Sequence, residues 1–481
     1  GECVERLRSH FLRPEKIEPR AMAARAVEFL QRHVVPLLVR RVDDDEDKGP
    51  KAIVVRMEDK EKTFDLTAMD GLDRMLWGLA EIFRFVDVHL PSDSDRAQLE
   101  AISTNALLHT LDPHTTYLDP ASYRDMQVET SGKFGGLGIV ISVFKGELTV
   151  ISVMDETPAS RAKMKARDRI VQIEDESTVN MDLSEAVNRL RGKPGVPVTL
   201  QVLRKGWETP RSFTIVRDRI QIRSVVSEIL NDSIAYVRLK NFRANTSQQL
   251  SEHLNKMALE AGNPLKGVVL DLRGNPGGFL EQAIKVSDLF LAKGEIVRTI
   301  GAGGKSRGKP RQAVQAEGPN LSRWEQVPLC VLLSGSSASA SEIVAGALKN
   351  HKRALIIGGQ SFGKGTVQGI YEVGDGAVKV TIAEYLTPGK VPVHEVGVTP
   401  DIDLKPQEIR EKDVLVFSHI VDQEKNESES ESVAPPVKPR RIMPFVSVID
   451  EEEEENEEKQ DEKRFHYDEL ERDFALSLVE A

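Results

Sequence analysis

Three short apolar runs limit what this chain can fold into. "LKGVVLDLRG", "VPLCVLLS" and "RALIIGG" each end in a glycine or serine turn. "SIAYVRLKNF" precedes them and "AVKVTIAEYL" follows. Helical patterns stand between: "NTSQQLSEHLNKMALEAG", "FLEQAIKVSDLFLA" and the segment after "LLSGSSASAS". Strands alternating with helices predict an α/β core over residues 221–405.

Before that core the pattern changes twice. Residues 16–48 carry apolar residues at helical spacing, broken at Pro36. "AIVVRMEDKEKTFDL" predicts two short strands, and 69–110 a second helical block interrupted at "LPSDSD". "LDPHTTYLDPASY" (111–123) predicts a loop and a helix start. From 133 to 220 strand signals dominate. "GGLGIVISVFKGELTVISVM" turns at Lys145–Gly146, and "PVTLQVLRKGWETPRSFTIVRD" is a hairpin. Two helices interrupt them, a short one in "TPASRAKM" and one in "NMDLSEAVNRLRG", capped by Asp182 or Ser184. After 405, "EKNESESESVAPPVKPRR" and "DEEEEENEEKQDEK" read as disordered linker, and "DELERDFALSLVEA" as a final helix.

Several function classes are disfavoured. The formal net charge is −11, which argues against general nucleic-acid binding. Cys3 and Cys330 stand far apart and give no metal spacing or disulfide framework. Cys330, inside an apolar strand, reads as buried filler. No stretch approaches the roughly 20 apolar residues of a membrane span. "GECVERLRSH" is polar and resembles no secretory signal, so the sequence leaves open a cytosolic protein or one whose export segment lies outside this chain.

Lys364 raises the sharpest question. Gly358, Gly363 and Lys364 nearly make a phosphate-cradling loop, but Gly365 stands where a P-loop needs Ser or Thr. "TVQGIYEV" follows, and its β-branched residues predict a strand where a P-loop needs a helix. A second candidate is the serine-rich turn before a helix with Ile343, Val344, Ala347 and Leu348 on one face. A hydroxyl there meets the positive end of the helix dipole; the plain reading is an N-cap. Serine needs a base, and Lys364, set among glycines beside Phe362, serves if burial strips its charge. His114 and His394 lie in loops without diagnostic spacing and read as structural. "LDLRGNPGG" offers free backbone N–H groups for an oxyanion. Its glycine spacing does not fit a dinucleotide loop.

Taken together, "GSSASASEIVAGAL", "SFGKGTVQ", "LDLRGNPGG", "TSGKFGGLGI" and "YLTPGK…GVTPDIDL" resemble the carboxyl-terminal processing peptidases, tail-specific serine proteases with a Ser–Lys pair. The resemblance covers about 100–405 and the motifs stand in family order. It implies a multidomain α/β (α+β) chain: a helical, dimerising N-terminal region (1–110), a cap or linker (111–132), a PDZ domain (133–220), a crotonase/ClpP-like protease core (221–405) and a partly disordered acidic tail (406–481). It implies Ser339 as nucleophile, Lys364 as general base and Gln368 as the residue orienting the lysine. The N–H groups of Ala340 and Gly278 match the oxyanion hole. Asn350 stands where some members carry an aspartate. Gly136, Leu137, Gly138 and Ile139 match the carboxylate-binding loop of a PDZ domain. Arg169 matches a position that in some relatives links this module to the active site. Lys163 and Arg167 replace family glycines. The expected activity is cleavage of proteins near their C-termini, with no cofactor and no metal. Expected partners are protein or peptide C-termini, a second copy or larger homo-oligomer, and an adaptor. The expected location is the periplasm or cell envelope. The rival readings are a PDZ scaffold that no longer cuts and a protease that needs a partner to align Lys364.

Overall fold

The strands Gly267–Asp271 and Leu329–Leu333 are buried at every residue. Strands with both faces covered belong in a parallel sheet, and that is where they lie. A computed structural model describes residues 1–45, 48–92, 94–144, 146–231, 233–262, 264–313, 324–410, 441–449 and 472–479. The acidic run 450–463 and the segment 411–440 fall outside the described residues. The chain divides into two compact units, one made of Gly1–Met126 with Val225–Ala481 and the other of Gln127–Ser224.

In the first unit a seven-stranded sheet runs in the order Val225–Leu230, Ile234–Leu239, Gly267–Asp271, Leu329–Leu333, Leu355–Gly358, Ile402–Arg410, Arg441–Ile449. The first pair is antiparallel and the other pairs parallel. Alternate residues serve opposite faces. Val268, Leu270, Val331 and Leu333 join a core with Leu250, Leu254, Ile284 and Val344 from three helices, Thr246–Glu260, Leu280–Asp288 and Ala340–Asn350. Val269, Cys330 and Leu332 face the other way and pack with Ala475 and Val479 of the helix 472–479. That helix seats closely, because a Cβ added at Gly267 would stand 1.8 Å from Val479 Cγ1. The sheet thus takes strands from beyond residue 405.

A second sheet orders Arg311–Ala313, Gly294–Ile300, Gly376–Thr387 and Thr366–Val373, with Thr116–Leu118 also pairing to Gly376–Thr387. Val378 and Val380 bury against the N-terminal region, whose helices are Glu2–His10, Pro19–Leu30, Leu72–Val88 and Arg96–Leu108. The helical pattern expected through 48 stops at Leu30. Leu37–Val42 is instead a strand paired with Ala52–Met57. Pro36 ends the helical option, and the Val39–Val55 pair gives the valines a better place on a sheet.

In the second unit, strands run in the order Arg211–Val216, Pro197–Leu203, Arg169–Ile173, Glu147–Val153, Ile139–Phe144. Ile139–Phe144 is therefore an edge strand. The helix Leu183–Leu190 buries Ala186 and Leu190 in this unit's own core. Asp182 is its N-cap residue without a side-chain cap bond. Among the described residues of both units, no helix is long and apolar enough to cross a membrane.

Candidate active site

Three loops leave the carboxyl ends of adjacent parallel strands, the place where open α/β sheets gather their functional groups. They carry residues 272–279, 334–339 and 359–365.

Ser339 sits at the N-cap of helix Ala340–Asn350 with φ 56 and ψ −112. A residue with a Cβ reaches that conformation only when its surroundings hold it. The holder is Glu342, whose side chain is fully buried. Its Oε2 accepts the Ser339 N–H at 2.7 Å and the Lys364 N–H at 2.9 Å. Its Oε1 accepts the Gly363 N–H and the Ser361 hydroxyl, both at 2.6 Å. One carboxylate thus joins the backbones of two loops. From the opposite side, the buried Tyr385 hydroxyl lies 2.6 Å from the Lys364 carbonyl oxygen and 3.0 Å from that of Ser339. Burial and the Glu342 charge raise the phenol well above its ordinary range, so it remains a donor.

The glycine turn closes on Ser339. Asn275, buried, accepts from Ala338 N–H and from the Ser341 hydroxyl at 3.0 Å each. Its side chain accepts the Gly277 N–H at 2.9 Å and donates to the Leu239 carbonyl at 2.8 Å. A Cβ added at Gly277 would stand 2.8 Å from Ser339 Cβ, and one at Gly278 would stand 2.2 Å from the Phe242 carbonyl oxygen. Only glycine permits this approach. Among the described residues the N–H groups of Gly278 and Ala340 have no hydrogen-bond acceptor. Arg273 and the Tyr236 hydroxyl bind the buried Asp271 carboxylate beneath the turn, at 2.8 and 2.6 Å.

Lys364 is half-buried. Burial lowers its affinity for a proton and the Lys379 charge lowers it further, with Glu342 opposing. No hydrogen bond joins Ser339 Oγ to the Lys364 amine among the described residues; the structure joins their backbones. Gln368 gives its amide to Thr366 Oγ1 at 2.9 Å, not to Lys364. Asn350 donates to Thr387 Oγ1 and the Pro388 carbonyl at 3.0 Å each, fastening the helix end to the neighbouring strand. After Lys364 comes the strand Thr366–Val373, not the helix that follows the lysine of a P-loop. His114 and His394 line a cavity of about 210 Å³ with Thr366 and Thr381. Cys330 is buried, its thiol pushed up to about 12 by desolvation. No group of His, Cys, Asp and Glu among the described residues is placed to hold a metal.

Glu342, Tyr385 and Asn275 were not singled out by sequence. Glu342 had a signal: Ser339 and Glu342 are spaced as a capping box. Tyr385 had none, because it reaches the site from a strand of another sheet.

In the second unit, Gly138 has φ 81, and a Cβ there would stand 2.3 Å from Thr157 Cβ. Leu137 is buried and Gly136 and Ile139 end the flanking strands. The N–H groups of Leu137 and Gly138 have no acceptor among the described residues. Arg169 Nη1 lies 2.7 Å from both carboxylate oxygens of Glu147 within this unit.

A strained serine at a helix start, N–H groups without an acceptor beside it among the described residues and a half-buried lysine come together at the strand ends of an α/β core. Residues 233–404 match peptidase family S41, and 149–204 match a PDZ domain. A carboxy-terminal-processing protease of Bartonella bacilliformis is 40% identical over 331 residues, covering 68% of this chain and 75% of that protein. A carboxyl-terminal-processing protease of Synechocystis sp. is 34% identical over 322 residues, covering 65% and 71%. Among solved structures, the photosystem II D1 C-terminal processing protease aligns with 68% of this chain and 86% of its own, at 27% identity and a TM-score of 0.39. The chain belongs to the carboxy-terminal processing proteases of family S41, serine-type peptidases that here carry a PDZ domain.

Proposed function

We propose that this chain is a serine endopeptidase that cuts proteins at or near their C-termini with a Ser339–Lys364 pair. Ser339 Oγ attacks the scissile carbonyl while the neutral Lys364 amine takes its proton. The N–H groups of Gly278 and Ala340 receive the developing oxyanion. Lys364 then returns the proton to the leaving amine, and water hydrolyses the acyl-enzyme with the same lysine as base. The observation that carries this reading is Glu342, one buried carboxylate accepting the N–H of both Ser339 and Lys364. A fold that spends a buried carboxylate on joining these two loops has a reason to keep them together.

The PDZ domain, which we assign to 133–220, takes the substrate tail. The N–H groups of Leu137 and Gly138, within the Gly136–Ile139 loop, bind its carboxylate, and the open edge of Ile139–Phe144 adds the peptide as a strand. The remaining divisions follow the same assignment: 1–110 as an N-terminal region that pairs copies, 111–132 as a linker, 221–405 as the protease core and 406–481 as the tail. A periplasmic or cell-envelope location rests on family resemblance alone.

One observation favours a second reading, in which substrate or an adaptor completes the site. The Lys364 amine has no bond to Ser339, Gln368 is turned to Thr366, and Arg169 is forked onto Glu147. In that reading Gln368 and Arg169 take up their roles only on binding.

Purified wild-type, Ser339→Ala and Lys364→Ala proteins, incubated with a peptide ending in an apolar residue and read by mass spectrometry, test the assignment. Cleavage is expected from the wild type alone, with folding of the variants intact. Cleavage by pure Ser339→Ala protein would reject the nucleophile. Tail binding by the wild type without turnover, with or without an added second peptide, would leave a scaffold.

A further inference from the structure

The glycine turn beside Ser339 is built on a buried carboxylate. Asp271 is the last residue of its strand and is fully buried. Its Oδ1 accepts the Arg273 N–H at 2.9 Å and Arg273 Nε–H at 3.0 Å. Its Oδ2 accepts Arg273 Nη2–H at 2.8 Å and the Tyr236 hydroxyl at 2.6 Å. An aspartate that binds the backbone two residues on sets the direction of a turn. Here it sets how the chain leaves the sheet toward Gly274, with φ 70, and Gly278. The far end of the turn is held separately. The Phe242 N–H donates to the Gly277 carbonyl at 2.9 Å, and the Phe279 N–H to the Phe242 carbonyl at 2.8 Å. A turn pinned at both ends presents donors that need no rearrangement when charge develops.

The carboxylate is reached from the back of the sheet. Val269 and Asp271 are alternate residues of one strand and share a face. Val269 packs there with Tyr236 and with Ala475 and Val479 of the helix 472–479. Strand pairing sets Glu228 opposite Tyr236. Arg472, at the start of the helix, engages both. Its guanidinium stands 3.3 Å from the Glu228 carboxylate and 6.0 Å from the centre of the Tyr236 ring. Tyr236 is buried beneath this cover. Burial and the Asp271 charge raise its phenol well above the ordinary range, so the hydroxyl remains a donor. Packed and bonded groups thus run without a break from the helix, through Tyr236 and Asp271, to the first N–H of the glycine turn. The helix lies beyond residues 233–404, the stretch that matches family S41.

We propose that Asp271 and Tyr236 are positioning residues of the peptidase reaction, and that the helix 472–479 acts through them to hold the Gly274–Gly278 turn in place for the oxyanion. This rests on the Gly278 N–H being an oxyanion donor.

The test is steady-state kinetics of the full chain on one peptide, with thermal denaturation alongside. Tyr236→Phe removes a hydroxyl and little else. It should lower kcat about tenfold, less than the 10²–10³ that loss of a whole oxyanion donor costs, and leave KM unchanged. Asp271→Asn keeps the shape of the side chain and should cost more, again in kcat. Val479→Asp puts a charge where the helix packs on Gly267, and should lower kcat as Tyr236→Phe does. Arg472→Ala loosens the same cover if the Val479→Asp protein melts early. In the double variants, Tyr236→Phe with either helix substitution, the losses should not multiply, because both act through one bond. A merely structural role would lower the melting temperature and spare kcat of the folded protein. Unchanged kcat in folded Tyr236→Phe protein overturns the proposal, and it can be read even if Asp271→Asn fails to fold. Losses that multiply overturn the route from the helix. Gly278→Ala separates the two levels. If it also spares kcat, the oxyanion assignment is wrong; if it alone lowers kcat, that assignment stands and the role of Asp271 and Tyr236 is rejected.

Discussion

Ser339 and the pair Lys163 and Arg167 all hold a positive φ on a residue with a Cβ, at 56, 60 and 68. The two regions hold it differently. Around Ser339 a buried carboxylate, a buried tyrosine and a glycine turn all converge on the backbone. In the second unit the side chains of Lys163 and Arg167 are free of such enclosure. The turn there is stabilised by the buried Asp168, forked onto Arg204 and accepting the Lys165 N–H at 2.8 Å, by Arg204 on the Lys163 carbonyl, and by backbone bonds such as Arg167 N–H to the Val150 carbonyl. Strain at the first site is enforced by a network that also joins the backbones of the Ser339 and Lys364 loops. At the second it is merely tolerated by a tight turn, where glycine would serve as well. The same dihedral can be a device in one place and an accident of side-chain choice in another.

The largest effect is expected where the enforced strain is released. Glu342→Ala removes the acceptor of four donors at once, each costly to leave unsatisfied in the interior. We expect a loss of about 3–5 kcal/mol in stability, the scale of a broken buried polar network. Peptidase activity should vanish even at temperatures where the protein stays folded. Glu342→Gln should not rescue it, because an amide NH₂ would face N–H donors. Chemical denaturation alongside a peptide-cleavage assay reads both quantities. A Glu342→Ala protein with native stability and turnover would erase the distinction drawn between the two regions.

A smaller effect is expected at Gly278. An alanine Cβ would collide with the Phe242 carbonyl, so the turn must move. The N–H assigned to the oxyanion moves with it. Loss of one such donor costs about 10²–10³ in kcat, with KM little changed because the PDZ domain is untouched. Steady-state kinetics separates the two parameters. A change confined to KM would mean that this turn binds substrate and does not stabilise the transition state.

How much of this was legible follows from how far each group lies from its neighbours in sequence. The parallel core could be read because each strand is a continuous apolar run closed by a turn. Ser339, Lys364 and the glycine turn could be read because each sits in a motif at a strand end. Gln368 was assigned by motif alone, and its amide lies on Thr366, since a side chain's orientation depends on partners that no local pattern encodes. Tyr385 was illegible for the same reason: it comes from the strand Gly376–Thr387, and only the pairing of that strand with Thr366–Val373 brings it to the site. The strand at Leu37–Val42 was missed because an apolar run before and after a proline fits helix and strand spacing alike. Pairing with Ala52–Met57 decided it.

The smallest expected effect sharpens the comparison most. Lys163→Gly and Arg167→Gly remove a Cβ from the left-handed region, where it costs about 1–2 kcal/mol. Glycine's greater freedom in the unfolded chain takes part of that back, about 0.5–1 kcal/mol. The net gain should be below about 1 kcal/mol for each, and the two should add only partly because the turn is shared. Amide hydrogen exchange in the full chain, read over Gln127–Ser224, detects a gain of this size as slower opening of that unit alone. Ser339→Gly makes the matching change at the enforced site. There the network already specifies the backbone, so relieving the Cβ should stabilise the protein by a similar amount while abolishing cleavage with the hydroxyl. If Lys163→Gly or Arg167→Gly instead destabilised the second unit, their side chains would be holding that turn, and the strain there would be as purposeful as at Ser339.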